Sequence, residues 1–205
     1  GPTAPIDKVP GLLDPQGYLW ADVAPVAQHA KPEEVEQEIR AQVGRALAAG
    51  IRPTHLDTHM GTVYAHPAFA AAYMKVAREY DLPFLALRKP LPMVPAERMA
   101  EMLAMLKESD IALDSLVSAH PGIRPEEWKA AYEDIIRNLK PGLTQLIVHL
   151  GYDDAELQAV TVDHPDFGSA WRQRDFDVLS SPEFKKALEE NHVILIGWKE
   201  LRKLR

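Results

Sequence analysis

Pro53-Thr54-His55-Leu56-Asp57-Thr58-His59 is the stretch whose reading decides the fold. It is too short and too alternating for a helix, and Pro53 opens it, so it reads as a strand. On a strand, His55, Asp57 and His59 stand at i, i+2 and i+4 and share one face. Three polar groups on an inward face must each be paired or hydrated, so packing alone does not account for them. The rise sorts them. His55 and His59 would lie ~13 Å apart at ~3.3 Å per residue, too far to share one metal ion. His59 falls at the carboxyl end, where parallel α/β folds place their sites, and His55 lies deeper. A helical alternative would put both histidines on one zinc, but the Glu that follows the first His in HExxH is missing. A buried polar network with no ligand is the blander alternative.

Outward from this stretch the chain alternates between strand and helix. Upstream, Pro32 opens a helix with Glu33 and Glu34 in its first turn. Val35, Ile39, Val43 and Leu47 follow every four residues, and Gly50 lies past its end. The first thirty residues are proline-rich and read as an irregular lead-in. Downstream, a helix from Pro67 carries Phe69, Tyr73, Val76 and Tyr80, and residues 84–88 read as a strand. Pro95 opens a Met- and Leu-rich helix to Lys107, and residues 111–117 form the next strand. A helix from Pro125 carries Trp128, Tyr132, Ile135 and Ile136 and is stopped by Pro141-Gly142. Residues 144–149 are the clearest strand. Residues 151–177 are polar, aromatic and unassigned. A helix from Pro182, a strand over 193–196 and a helix over 198–204 close the chain. The alternation predicts parallel βαβ units in an α/β fold. About five strands would suit either an open sheet or part of a barrel, which in its regular form has eight.

The 205 residues carry 23 Lys+Arg against 30 Asp+Glu, 46% apolar residues and no Cys. One domain over residues 1–205 is the expectation at this length. The net charge of -7 argues against a phosphate-backbone binder, so no nucleic-acid partner is expected. No apolar run reaches the ~20 residues of a membrane span, and residues 1–11 do not read as a signal peptide. A cytoplasmic protein with no membrane partner is the expectation. Without Cys, the chemistry falls to His, carboxylates or a metal ion.

His149 closes the strand Gln145-Leu146-Ile147-Val148, a position that suits a general acid. A structural histidine bonded to a loop carbonyl is the alternative. Arg88 ends the strand over 84–88 and could orient Asp57 or a substrate oxygen, or make a surface ion pair. In Trp171-Arg172-Gln173-Arg174-Asp175 an aromatic neighbours two cations and a carboxylate. Such a loop can stack on a sugar ring or act as a cover tied down by an Arg–Asp pair. His120 and His164 read as turn histidines, and His66 as the cap of its helix.

HLDTH at 55–59, followed by MGTVYAHPAF, resembles the signature of the YdjC/ChbG-type carbohydrate deacetylases. LKPGLTQLIVHLGYDDAEL at 139–157, DHPDFGSAWRQRDFDVLSSPEF at 163–184 and VILIGWKEL at 193–201 are similar to later segments of that family, in one continuous order. The resemblance implies a distorted β/α, TIM-like barrel and one divalent metal ion, zinc or magnesium, held by one Asp and two His. It implies removal of the N-acetyl group from an amino sugar or oligosaccharide. Carried over residue by residue, His59 is a metal ligand, His149 a proton donor to the leaving amine, and Asp57 an orienting active-site carboxylate. Arg88, Trp171 and Arg172 are the candidate substrate-binding residues.

Two family motifs are missing: the Asp-Asp-Phe-Gly strand end, with a ligand Asp and a base Asp, and the His-Leu-Thr segment with the second ligand His. The expectation is that this chain is the carboxyl-terminal portion of such a barrel. Its open edges would then be covered by upstream residues or by a second copy in a homo-oligomer, and it would not be a stable monomer alone. A non-catalytic carbohydrate-binding or interaction module on the same fold is the alternative function.

Overall fold

The proline-rich lead-in is structured, where the sequence suggested an irregular segment. In the computed structural model, which describes residues 1–89, 96–164 and 166–204, 3-10 turns at Ile6–Lys8 and Pro10–Leu12 precede helix α1, Val23–His29. Leu13 and Leu19 form an antiparallel bridge between them. Helix α2, Pro32–Ala48, anchors this segment through two buried carboxylates. Glu34 accepts the N–H groups of Gly11 (3.2 Å) and Lys31 (2.8 Å). Glu38 accepts those of Thr3 (2.9 Å) and Ala4 (2.8 Å) and the side-chain amide of Gln42. Gly11 is required here, since a Cβ would stand 2.4 Å from Glu34 Oε2 and from His29 O.

The chain groups into two compact units, Gly1–Ala112 with Ile196–Arg205, and Leu113–Leu195. In the first, helix α3, Pro67–Glu79, packs on α2 and buries one face almost completely. His66 caps it, accepting the Ala68 N–H at 3.1 Å, as the sequence suggested. Tyr73, Met74 and Ala77 meet Phe84, Ala86, Met99 and Met102 in one core cluster, the last two from helix α4, Ala96–Ala104. Pro95, expected to open that helix, lies outside the described residues.

Neither expected strand of this unit forms a ladder among the described residues. Residues 53–59 and 84–88 meet in a single parallel bridge, Leu56 to Phe84. Leu56 N–H donates to Pro83 O at 2.8 Å, and Leu85 N–H donates to Leu56 O at 3.1 Å. The Tyr73 hydroxyl reinforces the same bridge, donating to Leu56 O (2.6 Å) and accepting from Leu85 N–H (3.1 Å). His59 then enters the 3-10 segment His59–Ala65 instead of extending a strand.

In the second unit, β1, Ser115–Ser118, pairs in parallel with β2, Thr144–Ile147, with Ser115 opposite Thr144 and Ser118 opposite Ile147. The parallel βαβ expectation holds here, with the first strand shorter and shifted toward its carboxyl end. Helix α5, Trp128–Arg137, bridges the two strands. The unassigned stretch holds helices α6, Ala155–Val160, and α7, Ser169–Leu179; α8, Pro182–Glu190, follows. Trp128, Tyr132, Ile136, Trp171, Phe184 and Leu188 form the core. The strand expected over 193–196 is not formed: Ile194 is 83% and Leu195 72% exposed, so β-branched composition there is not matched by pairing. The closing segment of the first unit is helix α9, Trp198–Leu201, continued by a 3-10 turn.

Candidate functional site

In the first unit the HLDTH residues separate by environment. His55 is half-buried, its ring stacked on Trp198 with centroids 4.7 Å apart and planes 4° from parallel. Nδ1 lies 3.1 Å from the Thr54 hydroxyl. Burial lowers the His55 pKa, and the charge of Asp57 opposes that shift. Asp57 and His59 are exposed. Asp57 Oδ1 accepts the Thr58 N–H at 2.7 Å. The turn after His59 holds Met60 at φ 55 and Gly61 at φ 69, and the Thr62 hydroxyl closes it by donating to His59 O at 2.7 Å. A left-handed methionine is a strained choice for a turn. His59 therefore starts a tight turn, and the strand expected over 53–59 is reduced to the single bridge at Leu56.

Asp57, Thr58 and His59, but not His55, border a cavity of about 400 Å³ walled by Trp20, Ile39, Val43, Leu56 and Val63. Tyr73 also lines it, and Tyr64 packs edge-on to Tyr73. Burial raises both phenol pKa values, so both remain hydrogen-bond donors, Tyr64 to Leu85 O and Tyr73 to Leu56 O. Arg88 is exposed, and its guanidinium donates to Ala112 O at 3.1 Å.

In the second unit His149 follows β2, half-buried. Its backbone N–H donates to Asp175 Oδ2 at 2.9 Å, and its ring lies 4.9 Å from that of Phe167. Phe167 is 36% exposed and sits at φ 64. Its carbonyl is held by Arg172 Nε at 2.8 Å, and Gly151 N–H donates to Arg172 O. Gly168 beside it has no room for a side chain, because a Cβ would stand 2.3 Å from His164 O.

Asp175 has no exposed surface. Besides the His149 amide, it accepts Trp128 Nε1 (2.9 Å) and the Tyr132 hydroxyl (2.6 Å) on Oδ1, and Trp171 Nε1 (3.2 Å) on Oδ2. Burial first, and Asp175 second, push the Tyr132 pKa up, which keeps its proton on the donor side of this bond.

A model of the family described as YdjC-like protein matches residues 1–190. The chain belongs to the YdjC-like family. A carbohydrate deacetylase of Thermus thermophilus is 31% identical over 199 residues, 97% of this chain and 71% of that protein. Its counterpart in Brevibacillus brevis is 28% identical, with 94% of this chain and 71% of that protein aligned. A solved structure from Enterococcus faecalis, named for cellobiose-phosphate cleavage, superposes with a TM-score of 0.76 at 22% identity, covering 98% of this chain and 72% of the other. That likeness concerns the fold.

Three features of this YdjC-like chain escaped sequence reasoning. Residues 171–175 are part of helix α7, where a loop was expected, and Trp171 is 3% exposed, edge-on to Trp128 at 4.6 Å. The exposed aromatic beside His149 is Phe167, whose only sequence signal was its place before Gly168. Asp175 was visible only as a neighbour of arginines. Arg174 in fact lies over the Trp128 ring at 4.6 Å. As for the metal ion, no three His, Asp or Glu side chains among the described residues are grouped to hold one. His59 by itself supplies one protein ligand, where a catalytic zinc site takes three.

Proposed function

We propose that this protein hydrolyses the N-acetyl group of an amino sugar or amino-sugar oligosaccharide, releasing acetate and the free amine. The coarse reading, an enzyme of the carbohydrate deacetylase class, rests on family membership over residues 1–190 and on the relatives' activity. The finer reading rests on the mounting of His149, an imidazole beyond a buried strand, fixed at its backbone by Asp175 and flanked by an exposed aromatic ring.

An amide nitrogen leaves poorly unless it is protonated as the C–N bond breaks. Water adds its oxygen to the acetyl carbonyl carbon, His149 gives a proton to the departing nitrogen, and the C–N bond breaks to acetate and amine. The imidazole recovers its proton from the water consumed. Phe167 offers a sugar ring an apolar face, a role the sequence suggested for Trp171, whose burial leaves it as support for that ring. Arg172 holds the Phe167 backbone, Arg88 is a candidate for a substrate oxygen, and Asp57 is the carboxylate that orients polar groups. His59 is the residue whose loss would lower any bound zinc or magnesium. A distorted β/α barrel and a cytoplasmic location complete the proposal.

The test is acetate release from N-acetylglucosamine and its short oligomers by the full chain, with metal content measured for wild type and His59→Ala. His149→Ala is expected to lower kcat on the order of 100-fold or more. Wild-type turnover with no dependence on His149 would refute the proton-donor assignment.

A further inference from the structure

We infer that Asp175 is a positioning residue for the reaction assigned to His149: its buried carboxylate sets where the imidazole stands by holding the His149 backbone N–H. This rests on the reading of His149 as proton donor. The carboxylate is wholly buried, and a charged group gives up much hydration to sit there. An apolar side chain would fill the same space without that cost, so its hydrogen bonds are the reason for it. Two of them, from Trp128 and Tyr132, fix Oδ1, and Trp171 reaches Oδ2. The fourth comes from the backbone of the residue that carries the chemistry.

The direction of each bond matters. β2 ends at Ile147, and two residues beyond it the His149 N–H donates to the carboxylate. Three side-chain donors on the core side aim Oδ2, and Phe167 packs on the imidazole. Every partner of Asp175 is a donor, and each oxygen receives two. An asparagine matches this poorly: turned one way its NH₂ meets the donor-only Trp128 Nε1, and turned the other way it meets both Trp171 Nε1 and the His149 N–H.

The experiment compares wild type, Asp175→Asn and Tyr132→Phe in the full chain, by amide exchange and imidazole shifts of His149 and by turnover of N-acetylglucosamine oligomers. Tyr132→Phe is the control, removing a donor from Oδ1 while leaving the His149 bond in place. Asp175→Asn is expected to speed exchange at the His149 amide, move the imidazole shifts and lower kcat on the order of 10- to 100-fold, with KM within about threefold. Tyr132→Phe, which removes one donor from Oδ1 only, is expected to move the His149 shifts and kcat less than Asp175→Asn does. Equal effects of the two variants, or a His149 amide as protected in Asp175→Asn as in wild type, would overturn the inference. If Asp175→Asn does not fold, Trp171→Phe, which takes a donor from the same oxygen, must move His149 more than Tyr132→Phe does; a smaller or equal shift overturns it. Full activity in His149→Ala would sink the proton-donor reading alone, because the exchange and shift data judge the hold of Asp175 independently.

Discussion

Glu38→Ala is expected to undock the first residues from helix α2 without unfolding the rest. Glu38 is 5% exposed and accepts the amides of Thr3 and Ala4, the latter at 2.8 Å, so two charge-assisted bonds hold the segment at that point. Hydrogen bonds to charged groups are worth about 1.5–3 kcal/mol each, but the freed amides regain water once the segment lifts. A net loss of about 2–3 kcal/mol is therefore the working figure, smaller than the sum of both bonds. Because Val9 and Leu12 stay docked through their own burial and through Glu34, the loss is local. At about 1.4 kcal/mol per factor of ten, the Ala4 amide should exchange roughly 30- to 150-fold faster. Amide exchange resolved by residue, with limited proteolysis ahead of Pro10, gives the readout. The α3 amides should keep their protection. An unchanged Ala4 amide, or an equal loss of protection across α3, would refute the reasoning.

Acidification should weaken the first unit. Burial lowers the folded His55 pKa below 6.5, so the unfolded chain binds more protons in the window just under that value, and stability rises with pH across it. Trp198 fluorescence, which reports the stacked pair, should follow this titration, and His55→Gln should abolish it. Gly142→Ala should destabilise the second unit by about 1–3 kcal/mol, measured by denaturant unfolding. Its φ of 138 disfavours a side chain, and a Cβ would meet Asp114 Oδ2 at 2.6 Å while that carboxylate holds Leu143 N–H.

The helices were legible where period and punctuation agreed. Pro32 and Gly50 bracket α2, and Pro67 and His66 mark the start of α3, so local chemistry was enough. The strands were legible in place but not in extent. Residues 53–59 and 84–88 do run alongside one another, yet pairing stops after one bridge, because ladder length depends on what lies opposite. Residues 193–196 show the same limit from the other side, a strand-forming composition that finds no ladder among the described residues. His149 was readable as the residue closing an apolar strand. Asp175 was not, because its burial is made by donors 43 and 47 residues away in the chain, Tyr132 and Trp128. Glu34 and Glu38 followed the same logic: acidic residues on a helix read as a solvated face until the segment that covers them is known.

In each unit, a histidine-bearing segment lies just past the end of backbone pairing, and a buried side chain bonds the backbone there. The Tyr73 hydroxyl braces the Leu56–Leu85 pairing, and three residues on, the chain turns into the His59 segment. β2 ends at Ile147, and two residues on the His149 amide donates to Asp175. A ladder fixes a strand to its neighbour at every second residue, so a residue on it moves only with the sheet. A single side-chain partner fixes one backbone atom and leaves the following turn free to adopt the conformation its site requires, left-handed at Met60 and Gly61 in one case. Substitutions at Tyr73 or Asp175 therefore act on where a histidine stands, whereas substitutions inside β1 or β2 act on whether the sheet forms. The two classes should separate cleanly in any scan that measures unfolding and turnover side by side.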